Sequence, residues 1–299
     1  MGGIHLLVNP DAGRGNAAER SAAAIARLRS HGVELVVHAG TSAAETRRLA
    51  AEAVAARPDA LVIVGGDGTL SGVVDVLVGS DVPLVLVPSG TGNDLARALG
   101  IAHATVEDAA TAVDAALHGV PRSLDVGEAT SESGTAHFLT IAALGFDAKV
   151  SERTNSLRWP RGSLRYYVAI VIELIRLTPM RFRLRVDGVD APVADGTLIA
   201  VANTRTYGGG MPVCPDADPH DGLLDITHVA AIGRMRLIAL FPRLLRGTHV
   251  GLREVTTLRG AEVEVSAPDL VVYADGERIG TGETCIRVVP GALSVLLPR

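Results

Sequence analysis

Apolar positions follow two rhythms along the chain. Through about residue 120 they form short unbroken runs at 4–8, 33–38, 60–64 and 84–87, each the length of a buried strand. Between the runs, Asn16-x-x-Glu19 and Ser42-x-x-Glu45 carry the capping-box pattern that opens a helix. The first of these helices ends near Ser30-His31-Gly32 and the second near residue 56, ahead of Pro58. Residues 70–78, 93–99 and 106–117 have helical period as well. Strands that are apolar throughout and alternate with helices predict an N-terminal doubly wound parallel sheet covered on both faces. Ligands of such sheets gather at the carboxyl ends of the strands, here the loops after Val8, Val64 and Val87.

Beyond about residue 124 the runs shorten and turn residues become frequent. Strands are predicted at 138–143, 182–186, 197–202, 224–229, 261–266, 270–274, 285–289 and 293–297, with Asp187-Gly188 and Asp195-Gly196 as tight turns. Helical stretches at 163–177 and 234–245 interrupt them. This pattern predicts a C-terminal antiparallel β-sandwich over residues 125–299, following an α/β domain over 1–124.

Composition narrows the picture further. The chain has 299 residues, 47% of them hydrophobic and 20% charged, a globular balance. A formal net charge of −5 makes no case for nucleic acid as a partner. Cys214 and Cys285 are the two cysteines, far apart and without metal-ligand spacing, so free thiols in a reducing cytoplasm are expected. No basic stretch or cleavage motif precedes the first strand, and no secretory signal is expected. The longest apolar stretch, 166–177, is broken by Glu173 and Arg176 and falls short of the ~20 residues that span a bilayer. Lys149 is the only lysine, and no Gly-Lys-Ser/Thr step exists, which excludes a Walker-type phosphate loop.

The candidate chemistry lies in three glycine-rich loops. Asn9-Pro-Asp-Ala-Gly-Arg-Gly15 follows the first strand, Gly65-Gly-Asp-Gly-Thr69 the third and Pro88-Ser-Gly-Thr-Gly-Asn-Asp94 the fourth. Gly65, Gly66 and Gly68 are expected to use positive φ and to leave backbone N–H groups bare against phosphate. Asp67 fits such a cradle only if a cation lies between its carboxylate and the phosphate, which suggests nucleotide with Mg²⁺. The Asp-Gly pair occurs five times in the chain, so this turn alone is ordinary. Asn93 or Asp94 could equally serve as a plain helix cap. Three such loops at one sheet edge favour a ligand site.

These loops resemble the diacylglycerol-kinase-type lipid kinases, the group of bacterial diacylglycerol kinases and of sphingosine and ceramide kinases. Asn-Pro-x-Ala-Gly at 9–13, Gly-Gly-Asp-Gly-Thr at 65–69 and Pro-Ser-Gly-Thr-Gly-Asn-Asp at 88–94 match in order and approximate spacing. Leu144-Gly-Phe-Asp147, Gly208-Gly-Gly-Met-Pro-x-Cys-Pro, Asp221-Gly-Leu-Leu-Asp225 and Asp275-Gly-Glu277 extend the likeness over essentially the whole chain. The resemblance implies a first domain like those of NAD kinases and phosphofructokinases, and a lipid-substrate domain after it. The family also returns its last residues to the first domain; here the chain ends soon after 293–297, which would leave that exchange short or missing.

The resemblance further implies ATP and Mg²⁺ as cofactors and a lipid hydroxyl at a membrane surface as acceptor. ATP would lie across Asn9, Pro10, Gly13, Gly65, Gly66, Asp67, Gly68, Thr69, Gly90, Thr91 and Asn93. Thr41 would contact the nucleotide too, although Ser-Ala-Ala-Glu after it departs from the family's glycine-containing spacing. Asp67 would hold the catalytic Mg²⁺, and Asp275 would accept the proton of the acceptor hydroxyl with Glu277 as metal or base partner. Which of those two is the base stays open. Asp275-Gly276 also reads as a plain hairpin turn. Asp218, Asp221 and Leu223 match a structural Mg²⁺ site of the bacterial members, or else form an Asp-rich turn. NAD kinase, and a nucleotide- or lipid-binding regulator without catalysis, remain as other readings. Homodimer formation is left open.

Charge is unevenly distributed. Residues 149–185 hold nine basic residues against Glu152 and Glu173, with Trp159, Tyr166 and Tyr167 interleaved. Arg234, Arg236, Arg243 and Arg246 alternate with Leu240, Phe241, Leu244 and Leu245. Either run could be a solvated helix face. Together they lead us to expect a cytoplasmic protein that meets the inner membrane face peripherally.

Overall fold

Five apolar residues in succession are stable only where both faces of a strand are covered. β1 (Ile4–Val8) has that pattern, and all five of its residues are buried. The computed structural model describes residues 3–9, 16–157, 159, 163–192 and 195–298. It divides into two units, one of Met1–Val126 with Gly208–Gly210 and Pro290–Arg299, the other of Gly127–Tyr207 with Met211–Val289.

In the first unit β1 is followed by α1 (Asn16–Ser30), β2 (Leu35–Ala39), α2 (Ala43–Ala55), β3 (Ala60–Gly65), α3 (Asp67–Leu77), β4 (Leu84–Pro88), α4 (Asp94–Ala98), α5 (Val106–Ala112) and α6 (Ala115–His118). The strands pair in parallel in the order β2-β1-β3-β4. Right-handed crossovers in that order carry the chain outward from β1 in opposite directions, so α1 and α2 cover opposite faces. The order reverses between β1 and β3, and the crevice of a doubly wound sheet lies at that point. Asn9 and Gly66, which follow these two strands, are therefore neighbours of the crevice. The predicted helix 106–117 is interrupted, because Asp114 turns to take two hydrogen bonds from Arg27 of α1 at 2.9 and 2.7 Å.

β5 (Val120–Ser131) carries the chain from the first unit into the second. Next come β6 (Gly134–Phe138), β7 (Ile141–Gly145), α7 (Phe146–Ser156), α8 (Ser163–Ile175), β8 (Arg183–Val186), β9 (Val189–Asp190), β10 (Gly196–Ala202) and β11 (Leu224–Ala230). α9 (Arg234–Leu244), β12 (Val255–Gly260), β13 (Glu262–Ser266), β14 (Val271–Ala274), β15 (Glu277–Thr281) and β16 (Thr284–Leu297) complete the chain. One antiparallel sheet runs β12-β11-β10-β7-β14-β15. A second joins β9, β8, β13 and the first part of β16. Phe138, Leu144, Ile199, Val201, Ile226, Val265 and Ile286 fill the core of this sandwich. β10 is buried along its whole length because Val213, Cys214 and Ala217 pack over Ala200 and Ala202.

The α/β sheet followed by an antiparallel sandwich agrees with the sequence pattern. Several elements escape that pattern: the β5–β6 hairpin, α7, β12 and the short strands β9 and β15. α7 buries only Asp147, Ala148 and Val150, too narrow a stripe to register as amphipathic. β12 is half-exposed and rich in threonine. Predicted strands 285–289 and 293–297 are one strand, β16, which passes through Pro290. Its last part returns to the first unit, where Val295 pairs in parallel with Leu84 and buried Asp125 accepts the Gly291 N–H at 2.8 Å. The exchange expected to be short or missing is thus present.

Removing residues 290–299 would strip β4 of this partner and expose a strand whose five residues are all buried. We expect a loss of at least about 2 kcal/mol and a tendency to aggregate through the freed edge, read from urea midpoints and light scattering.

Candidate functional site

The loops after β3 and β4 meet backbone against backbone. Parallel pairing of Gly65 with Pro88 sets them side by side, and the Ser89 N–H donates to the Gly65 carbonyl at 2.9 Å. A Cβ on Gly66 would stand 2.7 Å from the Gly90 Cα, and one on Gly90 equally close to the Gly66 Cα. Asn93 braces the second loop from within: its Oδ1 accepts the Gly90 N–H and its Nδ2 donates to the Gly90 carbonyl, both at 2.9 Å. With φ at 51° Asn93 is left-handed, and it makes no side-chain cap on α4. From α1 the buried Arg20 guanidinium donates to the carbonyls of Pro88, His103 and Ala104 and holds the end of β4 in place.

The glycines act differently from the sequence expectation. Gly65, Gly66 and Gly68 do not use positive φ, and Gly66 is extended, with φ at −102°. Their lack of a side chain matters for close approach. Thr69 packs on Gly65, where a Cβ would lie 2.5 Å from the threonine Cβ, while Gly68 is exposed with open space around it. Asp67 is the first residue of α3 rather than a member of a free loop, so it stands in the positive potential of a helix N-terminus.

Two acids are tied together here. Asp67 Oδ1 accepts the backbone N–H of Asp94 at 2.8 Å, and the Asp94 carboxylate accepts the N–H groups of Gly209 and Gly210 at 2.9 and 2.8 Å. A Cβ on Gly92 would come within 2.7 Å of Asp67 Oδ2, so a side chain at this position would crowd that oxygen. The same Cβ would stand 3.4 Å from Asp94 Oδ2, so two carboxylates border this position, and their charge suits a cation such as Mg²⁺, which retains water and binds few protein ligands. Asp94 closes the Pro-Ser-Gly-Thr-Gly-Asn-Asp motif and could equally have been a plain helix cap; the structure has it bridge two loops.

Other predicted nucleotide contacts are placed less closely. Asn9 donates its N–H toward the Val64 carbonyl at 3.5 Å, at the crevice between β1 and β3. Thr91 is exposed on the loop after β4. Thr41 gives both its N–H and its hydroxyl to Glu45 Oε2, at 2.8 and 2.5 Å, so a phosphate there would face a carboxylate. Pro10 and Gly13 lie outside the described residues.

In the second unit Asp275 occupies a hairpin turn between β14 and β15, left-handed at φ 51° and followed by Gly276 at 86°. It is more than a turn residue. Its carboxylate accepts the Leu139 N–H at 2.7 Å, the Thr140 N–H at 2.9 Å and the Thr140 hydroxyl. The buried Asn203 side chain donates to the Leu139 carbonyl at 3.0 Å, which fixes the same segment from its other side. Glu277 opens β15 and is exposed. The structure therefore presents a hydrogen-bonded acid and an exposed one on a single turn.

Asp218, Asp221 and Leu223 lie together on one turn, and both carboxylates have partners within the protein. Asp221 Oδ2 pairs with the Arg259 guanidinium, which also reaches Asp225 Oδ2 at 3.3 Å. Asp221 Oδ1 accepts the Leu223 N–H at 3.0 Å, and Asp218 Oδ1 accepts the His220 N–H at 3.2 Å. Arginine already neutralises this turn. Among the described residues no group of three or more His, Cys, Asp or Glu is placed to share a metal.

The second unit also holds an apolar cavity of about 360 Å³ between α7, α8 and α9, lined by Phe146, Val150, Leu174, Met211, Leu237 and Phe241 among others. Among the described residues Asp147 and Tyr207 are the polar members of its wall. Burial pushes the Asp147 carboxyl up to about 6, against a hydrogen bond from the Tyr207 hydroxyl that favours the charged form. In the unfolded chain this group titrates near 3.8, so between the two values the folded state holds one more proton. Stability then falls as pH rises through that window and is lowest above it. Asp147→Asn should accordingly stabilise the protein at pH 8, by on the order of 3 kcal/mol, and the gain should vanish near pH 4; urea midpoints across that range test it.

Comparison with known proteins matches both units. Residues 3–129 match the diacylglycerol kinase catalytic domain, and residues 140–297 match the YegS C-terminal NAD kinase beta sandwich-like domain. A diacylglycerol kinase of Mycobacterium tuberculosis is 44% identical over 300 residues, covering 100% of this chain and 96% of that protein. A crystal structure of a diacylglycerol kinase from Bacillus anthracis superposes with a TM-score of 0.73 at 19% identity, over 99% of this chain and 96% of the other. An NAD kinase from Archaeoglobus fulgidus, solved with ATP, shares the fold at a TM-score of 0.55 and 18% identity, over 98% and 93% of the two chains. With both units matched and the M. tuberculosis enzyme similar end to end, this chain belongs to the diacylglycerol kinase family of lipid kinases.

Proposed function

We propose that the protein transfers the γ-phosphate of ATP, with Mg²⁺, to the primary hydroxyl of diacylglycerol or a related lipid. The observation that carries the choice of acceptor is the cavity of the second unit, whose wall among the described residues is apolar apart from Asp147 and Tyr207. An acyl chain gains by leaving water for such a wall, whereas a dinucleotide finds no set of polar groups there. That difference favours lipid over NAD as acceptor. Asp67 and Asp275 are both present in bonded, ordered settings, which favours catalysis over a purely binding role.

In this reading the first unit is the nucleotide domain. The phosphates of ATP lie over Asn9, Gly66, Asp67, Gly68, Gly90 and Thr91, at the switch point between β1 and β3 and beside the N-terminus of α3. With no lysine in these loops, Asp67 would hold Mg²⁺, and the ion would supply the charge neutralisation that phosphoryl transfer needs. Asp94 keeps Asp67 in place through its N–H. The second unit is the acceptor domain. Asp275, fixed by Leu139 and Thr140, orients the lipid hydroxyl and accepts its proton, and Glu277 assists.

Access to a lipid is a surface problem. No described helix is long and apolar enough to cross a membrane. Val171 and Ile175 on α8, and Met235, Ile238 and Leu245 on or beside α9, are exposed. Arg234 joins the two helices through the Leu174 carbonyl at 3.1 Å, and Arg243 and Arg246 lie nearby in sequence. Exposed apolar side chains set among arginines suit peripheral contact with an anionic bilayer.

Labelled ATP, Mg²⁺ and mixed micelles of candidate lipids test the reaction directly: label is expected in a glycerolipid, and NAD-dependent ADP formation without lipid would reverse the assignment. Asp275→Asn should lower kcat by about 100-fold or more while ATP binding, followed by calorimetry, stays within about twofold. Retained turnover would remove Asp275 from the base role.

A further inference from the structure

Asp147 is the exception in an otherwise apolar wall. It stands in the first turn of α7, its residue is 5% exposed, and it lines the cavity with Tyr207. The Tyr207 hydroxyl donates to the carboxyl, yet Oδ2 is buried with no hydrogen-bond partner. A buried carboxyl oxygen without a partner is costly, and more so when ionised, unless a ligand completes it. Among the described residues no arginine, lysine or histidine lines the cavity to pair with a carboxylate. The neutral acid has one O–H to give and needs an acceptor. Diacylglycerol offers its ester carbonyls for this purpose; a dialkyl ether of the same shape lacks them.

We propose that Asp147, in its protonated form, donates a hydrogen bond from Oδ2 to an ester carbonyl of the acceptor lipid and so selects ester-linked glycerolipids. This deepens the lipid-kinase reading and rests on the cavity being its acceptor site. Asp147 is a specificity residue here, distinct from the acids that handle phosphate.

The surroundings keep the proton where the proposal needs it. β7 and β10, which pack against α7, contain no ionisable side chain. On α8 Glu173 is bonded to Arg153 of α7 at 2.8 Å, and Glu152 of α7 lies 3.8 Å from Arg278 of β15. Lys149 is the remaining charge on the neighbouring turn of α7, and β14 contributes Tyr273. The residues of α9 that line the cavity are Leu237, Ile238, Phe241, Pro242 and Leu244, all uncharged. Burial and the Tyr207 hydroxyl are what act on Asp147, with burial the larger.

Equilibrium dialysis of the full chain without ATP tests the assignment, using radiolabelled dioctanoylglycerol and its dioctyl ether analogue at pH 5, 6.5 and 8. The diester is expected to bind about tenfold more tightly than the diether at pH 5, and to lose most of that advantage by pH 8. Asp147→Asn, which keeps a donor that does not titrate, should hold the preference at every pH. Asp147→Leu should abolish it while leaving the diether unaffected within about twofold. Equal binding of the two lipids by the unaltered protein at pH 5, a preference that survives in Asp147→Leu, binding that strengthens as pH rises, or no binding of either lipid would each overturn the proposal. The kinase reading fails separately. If no lipid accepts phosphate yet the diester preference persists, the transfer assignment falls and Asp147 keeps its role; if lipid is phosphorylated with no ester preference, the reverse holds.

Discussion

The approach of Gly66 to Gly90 is the constraint on which the first unit's chemistry depends. Two loops that would otherwise be independent are pressed together with no side chain between them. In-register pairing of β3 and β4 brings them to the same height, and Asn93 and Arg20 stop the second loop from moving away. Asp67 then lies where the Asp94 N–H can reach it, and Gly92 puts no side chain against its other oxygen. Any side chain at the contact forces the loops apart. Glycine is required here for distance, and backbone handedness plays no part.

The same residue type does different work in the two units because its environment differs. Asp67 and Asp275 accept hydrogen bonds from backbone N–H groups, which fix the position of a carboxylate without supplying a counter-charge. Asp147 has a single donor and an apolar setting, and holds its proton to higher pH. Asp221 is neutralised by arginine. Aspartate content therefore says little about chemistry until each carboxyl's donors are known. In this molecule the donors come from segments remote in sequence: 94 for 67, 139–140 for 275 and 207 for 147.

Much of the architecture was legible in the order of residues. Unbroken apolar runs such as Ala60-Leu-Val-Ile-Val64 must be buried on both faces, so they announce a covered parallel sheet, and the loops at their ends follow. Gly66, Asp67, Gly90 and Asn93 could be singled out because glycine and amide residues cluster directly after those runs. α7 and β12 were not legible, since each buries too little apolar surface to imprint a period. Thr41 attracted notice as a loop hydroxyl, but its local partner Glu45 takes both its donors. At the Asp218–Asp221 turn a residue distant in sequence, Arg259, pairs with Asp221, a contact that the local pattern does not announce.

By itself the sequence determined the fold class, the two-part division of the chain and the edge of the sheet where the glycine loops gather, because burial patterns and turn residues are local properties. Only the tertiary structure decided which of those residues touch. It set Gly66 against Gly90, clamped Asp275 with Leu139 and Thr140, returned β16 to β4 and placed Asp147 in an apolar wall. Each of these depends on distances between segments far apart in the chain. A carboxylate's partners, and with them its charge, become fixed only when those distances do.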